Sequence, residues 1–300
     1  MSASPPLFED RQTDASGTLR LGLAAHGELR WAATDLTGPM EHLRRRIDLG
    51  PTAAVAVARA ASSAVLLLRF DTKLPGKLRL EVKGDGPLGH IVVEVDHEGL
   101  LRASVDEPHF AGFDPERLEI GRAVGSGLLR VTQEVRGREP YASQVALVDG
   151  EIGNDLVHFL RQSRQVRSAA LLGVLPGPNG LAAAGGMLIE ALPGATDESV
   201  QTLEERIAAL GGVGAALDER GVDGLVDSLF DGVDHVELER QAVIHGCRCS
   251  REALVERLRT VPIDDLRELA AADGTAEIEC AFCAGSFVFS LDELSDEIPS

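Results

Sequence analysis

All four cysteines of this 300-residue chain fall in two tight pairs near its C-terminus: Cys247 and Cys249 in HGCRCS, Cys280 and Cys283 in ECAFCAGS. Ordinary core packing does not call for such an arrangement, whereas metal binding and thiol redox chemistry both do. Four thiolates in two close pairs suit tetrahedral Zn²⁺, with Zn–S bonds near ~2.3 Å. The second pair, followed by Gly285, reads as a zinc knuckle in which both sulfurs face one point. The C-x-C form of the first pair and the long gap between pairs depart from ordinary zinc ribbons. His245 lies two residues before Cys247, but four sulfurs already complete a tetrahedral shell.

The C-terminal module that carries the pairs, residues 236–300, is small. A module of roughly 60 residues rarely gets more than ~3–5 kcal/mol from its core, whereas structural zinc contributes an apparent ~10–16 kcal/mol. Metal removal is therefore expected to unfold it. Metal-held sulfurs are thiolates at neutral pH and remain open to oxidation. The sequence-local partners are Cys247 with Cys249 and Cys280 with Cys283. Disulfides within each pair would close very small loops and would not replace a cross-link between the pairs. A permanently closed staple and an oxidation-sensitive switch both fit this spacing.

The rest of the composition narrows the function classes. A hydrophobic fraction of 44% allows a sizeable core, and 4% aromatic content makes that core aliphatic. The formal charge of −19, from 48 acidic and 29 basic residues, argues against nucleic acid and against an anionic membrane surface as partners. No apolar run is read as a membrane span; the stretch around Ala64–Leu68 is broken by Arg69 and Asp71. The N-terminal MSASPPLFEDRQTD has no basic region followed by an apolar one, so a cytoplasmic location with reduced thiols is expected.

Along the chain, residues 1–193 read as one mixed domain. Alternation over 17–33 predicts strand, and Pro51 opens an Ala-rich stretch that predicts a buried helix. Leu78, Leu80 and Val82 alternate with charges, GDGP supplies a turn, and the alternation resumes at Ile91. A further strand is expected at 128–135. Ile152, Leu156, Phe159 and Leu160 share one helical face, and the apolar runs that follow predict a hairpin. Strands and helices do not alternate regularly, so the fold class expected is α+β.

Residues 194–235 change character. Val200, Leu203, Ile207 and Leu210 have helical spacing, as do Val222, Leu225, Val226 and Leu229, with GGVG between the sets. Two short amphipathic helices of weak intrinsic stability are expected, in need of a surface to pack on. In the cysteine module, Ser250 is expected to cap one helix, Gly274 to end a second, and residues 275–290 to form a hairpin turning at Cys280 and Cys283.

The remaining motifs read as structural. GDGP lacks the Lys and Ser/Thr of a phosphate loop, and AAGGM reads as close backbone packing between strands. Tyr141, Ser143 and Gln144 have no His or Asp at the spacing of a triad, and no H-x-E motif accompanies CAFC. The chain is not expected to be an enzyme.

On C-x-C, a gap of about thirty residues and then C-x2-C, together with KGDGPLG (83–89), PYASQVALVDGEIGNDL (140–156), AAAGGMLIEALPG (182–194) and CSRE (249–252), the chain resembles the redox-regulated 33-kilodalton heat-shock chaperone family. The resemblance implies an N-terminal client-binding and dimerisation domain (1–193), a metastable helical linker (194–235) and a zinc redox-switch domain (236–300). It implies an ATP-independent holdase, inactive while reduced and zinc-bound, with Cys247, Cys249, Cys280 and Cys283 as both zinc ligands and redox centre. Oxidative stress would form two local disulfides and release zinc. The partners would be unfolding client proteins and, on activation, a second copy of the chain. An interaction protein with a constitutive zinc module is the alternative. Two departures stand out: an alanine separates Cys283 from Gly285, expected to perturb the knuckle little, and the linker is rich in glycine.

Overall fold

A computed structural model describes residues 16–71, 75–114, 117–258, 260–271 and 274–291; the N-terminal stretch read for a secretory signal and residues 292–300 of the cysteine module lie outside the described residues. The chain divides into two compact units between His245 and Gly246.

The alternation at 17–33 resolves into two strands, β1 (Ser16–Ala24) and β2 (Leu29–Asp35), joined by a tight turn. Helix α1 (Thr37–Arg46) follows, then α2 (Pro51–Asp71) starting at the expected proline. Three strands come next, β3 (Gly76–Gly84), β4 (His90–Asp96) and β5 (Leu100–Val105), with GDGP in the β3–β4 turn. The short α3 (Ile120–Val124) leads to β6 (Gly127–Val135), β7 (Tyr141–Ala146) and α4 (Gly153–Arg164). The expected hairpin is β8 (Ser168–Gly177) and β9 (Gly180–Ala191). Helices α5 (Asp197–Ala209) and α6 (Val213–Phe230) and strand β10 (His235–His245) complete the first unit.

The ten strands form one sheet in the order β7-β6-β3-β4-β5-β10-β1-β2-β9-β8. Neighbours run antiparallel except β5 and β10, which are parallel. The fold is α+β, as the irregular alternation of elements implies. One face is covered by α2, α1 and α4, whose Val57, Leu66, Leu43, Leu156 and Phe159 share a core with Leu80, Val93 and Leu129 of the strands. Helix α2 is long and apolar enough to cross a bilayer by length and composition, contrary to the expectation above, but 89% of its most apolar window is buried inside the protein. It is a core helix. Its buried hydroxyls are satisfied: Ser62 donates to the Ala58 carbonyl and Ser63 to that of Arg59, each at 2.9 Å, and Thr52 donates to the Ala111 carbonyl at 2.8 Å.

The AAGGM motif lets β9 approach its neighbours. A Cβ on Gly185 would lie 2.1 Å from the Thr34 carbonyl oxygen of β2, and one on Gly186 2.5 Å from that of Leu171 on β8. Backbone atoms cannot yield as a flexible side chain does, so Gly185→Ala should destabilise the first unit by about 1–3 kcal/mol. A thermal midpoint equal to the parent's would refute this account of the glycine.

The other sheet face carries a second core. Ala24, Leu29, Trp31, Ala33, Ala183, Met187 and Ile189 of the sheet pack against Leu203, Val213, Leu217, Val222, Leu225, Leu229 and Phe230 of α5 and α6. The two linker helices therefore exist as expected, but α6 is not short. It runs 18 residues and buries nine of them, with a break at Gly221, whose φ is +65°. Helix α5 is capped by Thr196, whose hydroxyl accepts from the Ser199 amide, yet it buries only Leu203. Alongside it runs a cleft of about 570 Å³ lined by Leu29, Val157, Ile189, Leu203 and Ile207 among others.

The expected division at 235/236 does not coincide with the boundary between compact units. Residues 235–245 form β10 and pair with β1 from Ser16↔Ile244 to Ala24↔His235, which places them in the large sheet.

The second unit is small. Helices α7 (Arg251–Leu258) and α8 (Ile263–Leu269) precede the hairpin β11 (Thr275–Glu279) and β12 (Ser286–Ser290), which pair antiparallel. The Ser250 hydroxyl accepts from the Ala253 amide at 3.2 Å, the expected cap. Among the described residues, the core cluster here has only Leu266 and Phe289 buried, with Ala276 buried beside it on β11.

Candidate metal and thiol centre

The hairpin presents one cysteine pair. The Cys283 and Ala284 amides donate to the Cys280 carbonyl at 3.1 and 2.8 Å, and the Cys280 amide donates to the Gly285 carbonyl at 2.9 Å. This tight turn aims both sulfurs to one side. Ala284 takes φ of +50° to complete it. Left-handed backbone costs an ordinary residue roughly 1–2 kcal/mol, so the alanine is a strained choice here, contrary to the expectation of little perturbation. The other pair lies in the segment between β10 and the capped start of α7.

The four sulfurs come together. All lie within 4.8 Å of one another, with Cys247 Sγ 3.7 Å from Cys280 Sγ and Cys249 Sγ 3.3 Å from Cys283 Sγ. A tetrahedron with metal–sulfur bonds of ~2.3 Å has edges of about 3.8 Å. Cys247 and Cys283 are buried, Cys249 and Cys280 half-buried. The donor set could thus hold a metal ion that prefers sulfur and four-fold coordination.

The electrostatics favour a cation as well. Thiol hydrogen bonds from Cys280 and then Cys283 hold the Cys247 thiol well below its ordinary range. Burial first, and then Cys247, outweighs the lowering effect of Cys283 and pushes Cys249 up to about 12. Cys283 is also raised, by Cys247 and Cys280 before burial. One negative charge is stabilised by its thiol neighbours, and further ionisation is opposed. Four simultaneous thiolates in this volume require a dication to offset part of their mutual repulsion.

Other sequence candidates lie elsewhere. His245 is on β10, with its ring edge-on to His42 at 5.0 Å between centroids. Tyr141, Ser143 and Gln144 are on β7, where the Ser143 hydroxyl meets that of Ser163 at 2.9 Å. In GDGP, the Asp85 carboxylate accepts from the Ser126 amide at 2.7 Å, a turn contact.

Sequence reading missed the sheet face beneath α6. Trp31, the single tryptophan, is fully buried there, 5.9 Å from Phe230 of α6 between ring centroids. Arg20 lies 5.6 Å from its ring centroid on another side, and a Cβ on Gly22 would meet the indole at 2.3 Å. The only hint in the sequence was its place in an alternating strand.

Comparison with known proteins agrees with this architecture. The family model described as Hsp33 protein matches residues 18–290. A "33 kDa chaperonin" of Thermus thermophilus is 36% identical over 291 residues, covering 93% of this chain and 85% of the relative. A protein of the same name from Symbiobacterium thermophilum is also 36% identical, over 278 residues, covering 91% and 94%. The crystal structure of the 33 kDa chaperonin (heat shock protein 33 homolog) of Thermotoga maritima superposes with a TM-score of 0.82 at 26% identity, covering 93% of this chain and 96% of that one.

Proposed function

The chain belongs to the Hsp33 family of chaperones, and from that premise we propose that it is an ATP-independent holdase switched on by oxidation of Cys247, Cys249, Cys280 and Cys283. The observation that carries this reading is the clustering of all four sulfurs in a unit with very little apolar core. Zinc, when bound, cross-links the two cysteine pairs and holds the sulfurs as thiolates. Each pair then offers an oxidation site. One thiolate takes an oxygen from peroxide, forming a sulfenic acid and releasing hydroxide, which becomes water on protonation. The second sulfur of the pair displaces that oxygen, again as water, and closes the disulfide. Two electrons leave per pair, and one peroxide is consumed. The sulfur distances do not select a pairing, because all six lie within a few ångströms. Loop length does: C-x-C and C-x2-C close at once, whereas a bond between pairs must retain an ordering of thirty intervening residues.

Loss of the cross-link leaves the small unit short of folding energy. The linker helices α5 and α6 then undock and uncover the apolar sheet face around Trp31, Met187 and Ile189, which binds unfolding clients. A second copy of the chain joins in the activated state. A reducing cytoplasm is the setting in which the switch stays closed.

The test is peroxide treatment of the reduced, zinc-loaded protein under mild heat, following zinc release, thiol loss and suppression of client aggregation together. We expect all three to rise in parallel, with disulfides mapping to Cys247–Cys249 and Cys280–Cys283. Zinc retained with thiols intact, or equal chaperone activity in reduced and oxidised protein, would establish a constitutive zinc module instead.

A further inference from the structure

Strand β10 is attached in an unusual way for a strand inside a ten-stranded sheet. Its ladder with β1 is continuous apart from a bulge opposite Leu21 and Gly22. Its pairing with β5 is confined to Ile244 and His245. Its first six residues are exposed, and of its side chains only Val243 is buried. Little apolar burial holds it down, so its attachment rests on the backbone ladder with β1, with ion pairs adding to it. Glu239 pairs with Arg69 of α2, and Glu237 pairs with Arg20 of β1.

Those charges also reach the linker. Asp223 of α6 accepts from Arg20 of β1 and from Arg240 of β10, both at 2.8 Å and both at the same carboxylate oxygen. Arg240 in turn holds Glu237 at 3.2 Å. The four residues form a closed square, with two arginines shared between two acids. Asp223 sits two residues after Gly221, where α6 is broken. The second half of the helix, Val222–Phe230, covers Trp31 and has this square at its free start. By chain continuity β10 runs through Gly246 directly into Cys247.

We infer that β10 is the relay between the cysteine unit and the linker, and that Asp223 is the residue through which it acts. This rests on the proposed switch for its biological use. Strand ends fray first, and the C-terminal end of β10 is where its pairing with β5 and its buried Val243 lie, so loosening that end next to the cysteine unit removes the strand's main anchor beyond the β1 ladder. When the cysteine unit loses order, the strand frays inward from His245. Arg240 and Glu237 leave with it, Asp223 keeps only Arg20, and the broken helix opens from Gly221 towards Phe230.

The test uses the reduced, zinc-loaded full chain, read by amide hydrogen exchange. Asp223→Asn and Arg240→Gln should each speed exchange of residues 222–230 by about two- to fivefold, the scale of a partly exposed ion-pair network. The double variant should fall short of the sum of the two singles, since both remove the Asp223–Arg240 bond. Amides of β3 and β6 should be unchanged, which separates the effect from general misfolding. Fully additive effects, or no change at 222–230, would overturn the shared latch. This arm needs neither oxidant nor client, so it stands apart from the redox reading. In a second arm zinc is removed by chelation. Loss of protection in β10 together with 222–230 supports the relay, whereas 222–230 opening while β10 stays protected overturns it.

Discussion

Chelating zinc from the reduced protein, or replacing one ligand as in Cys280→Ser, should unfold the unit that begins at Gly246. A module of this size draws at most ~3–5 kcal/mol from packing. Here Leu266, Ala276 and Phe289 are the buried apolar side chains beyond the cysteines, among the described residues. A structural zinc site contributes an apparent ~10–16 kcal/mol, so the metal outweighs the apolar core by a wide margin. A serine hydroxyl is a poor substitute for a thiolate. Loss of a direct ligand should lower affinity by more than the roughly 10–100-fold cost of disturbing a ligand's hydrogen-bond partner. The measurement is metal content together with hydrogen exchange across β11 and β12. Exchange in residues 197–230 should rise as well, even without oxidant. If the hairpin amides remain protected in metal-free protein, the staple is not what holds the unit together. If 197–230 is unmoved while the hairpin opens, the coupling to the linker is wrong.

Phe230→Ala should produce the opposite dissociation, an open linker with the metal still bound. The ring is 1% exposed and packs on Trp31 at the end of α6. Truncating a buried Phe costs about 3–5 kcal/mol, which is large against whatever margin keeps α6 on the sheet, since the whole domain has only ~5–15 kcal/mol. At about 1.4 kcal/mol per tenfold, exchange in 222–230 should rise on the order of a hundredfold or more. Trp31, the single tryptophan, reports the same event through a red-shifted emission. The reduced, zinc-loaded variant should then suppress client aggregation without peroxide. Solvent-exposed Trp31 in a variant that remains inert would show that clients bind elsewhere than the face under α6.

Much of the local structure is legible in the sequence because local patterns set it. Leu78, Leu80 and Val82 alternate as a strand facing one core must. Pro51 and the alanines after it start a helix, and Leu156, Phe159 and Leu160 line one face of α4, with Ile152 just before its start. Helix α1 escapes such reading, since Gly38 and Pro39 stand in its first turn and three arginines close it. The membrane reading of α2 errs in the other direction. Arg69 interrupts the apolar run only near its end, so length and composition would allow a span, and the 89% burial of its most apolar window agrees with the buried helix that the Ala-rich stretch predicts. In HVELERQAVIH, alternation is visible, yet nothing local says that the partner strand lies at the other end of the chain. By sequence alone the segment therefore falls to the cysteine module it precedes.

The sequence alone singled out the four cysteines as one candidate metal and thiol site, because four ligands of one type in two short motifs have few other uses and the motif geometry is local. It also determined the existence of the linker helices, through their apolar spacing. Only the tertiary structure decided what those helices cover, how β10 enters the sheet and why Asp223 meets arginines from two strands. These contacts join residues distant along the chain, and their partners are selected by sheet order and register, which a periodic pattern does not encode.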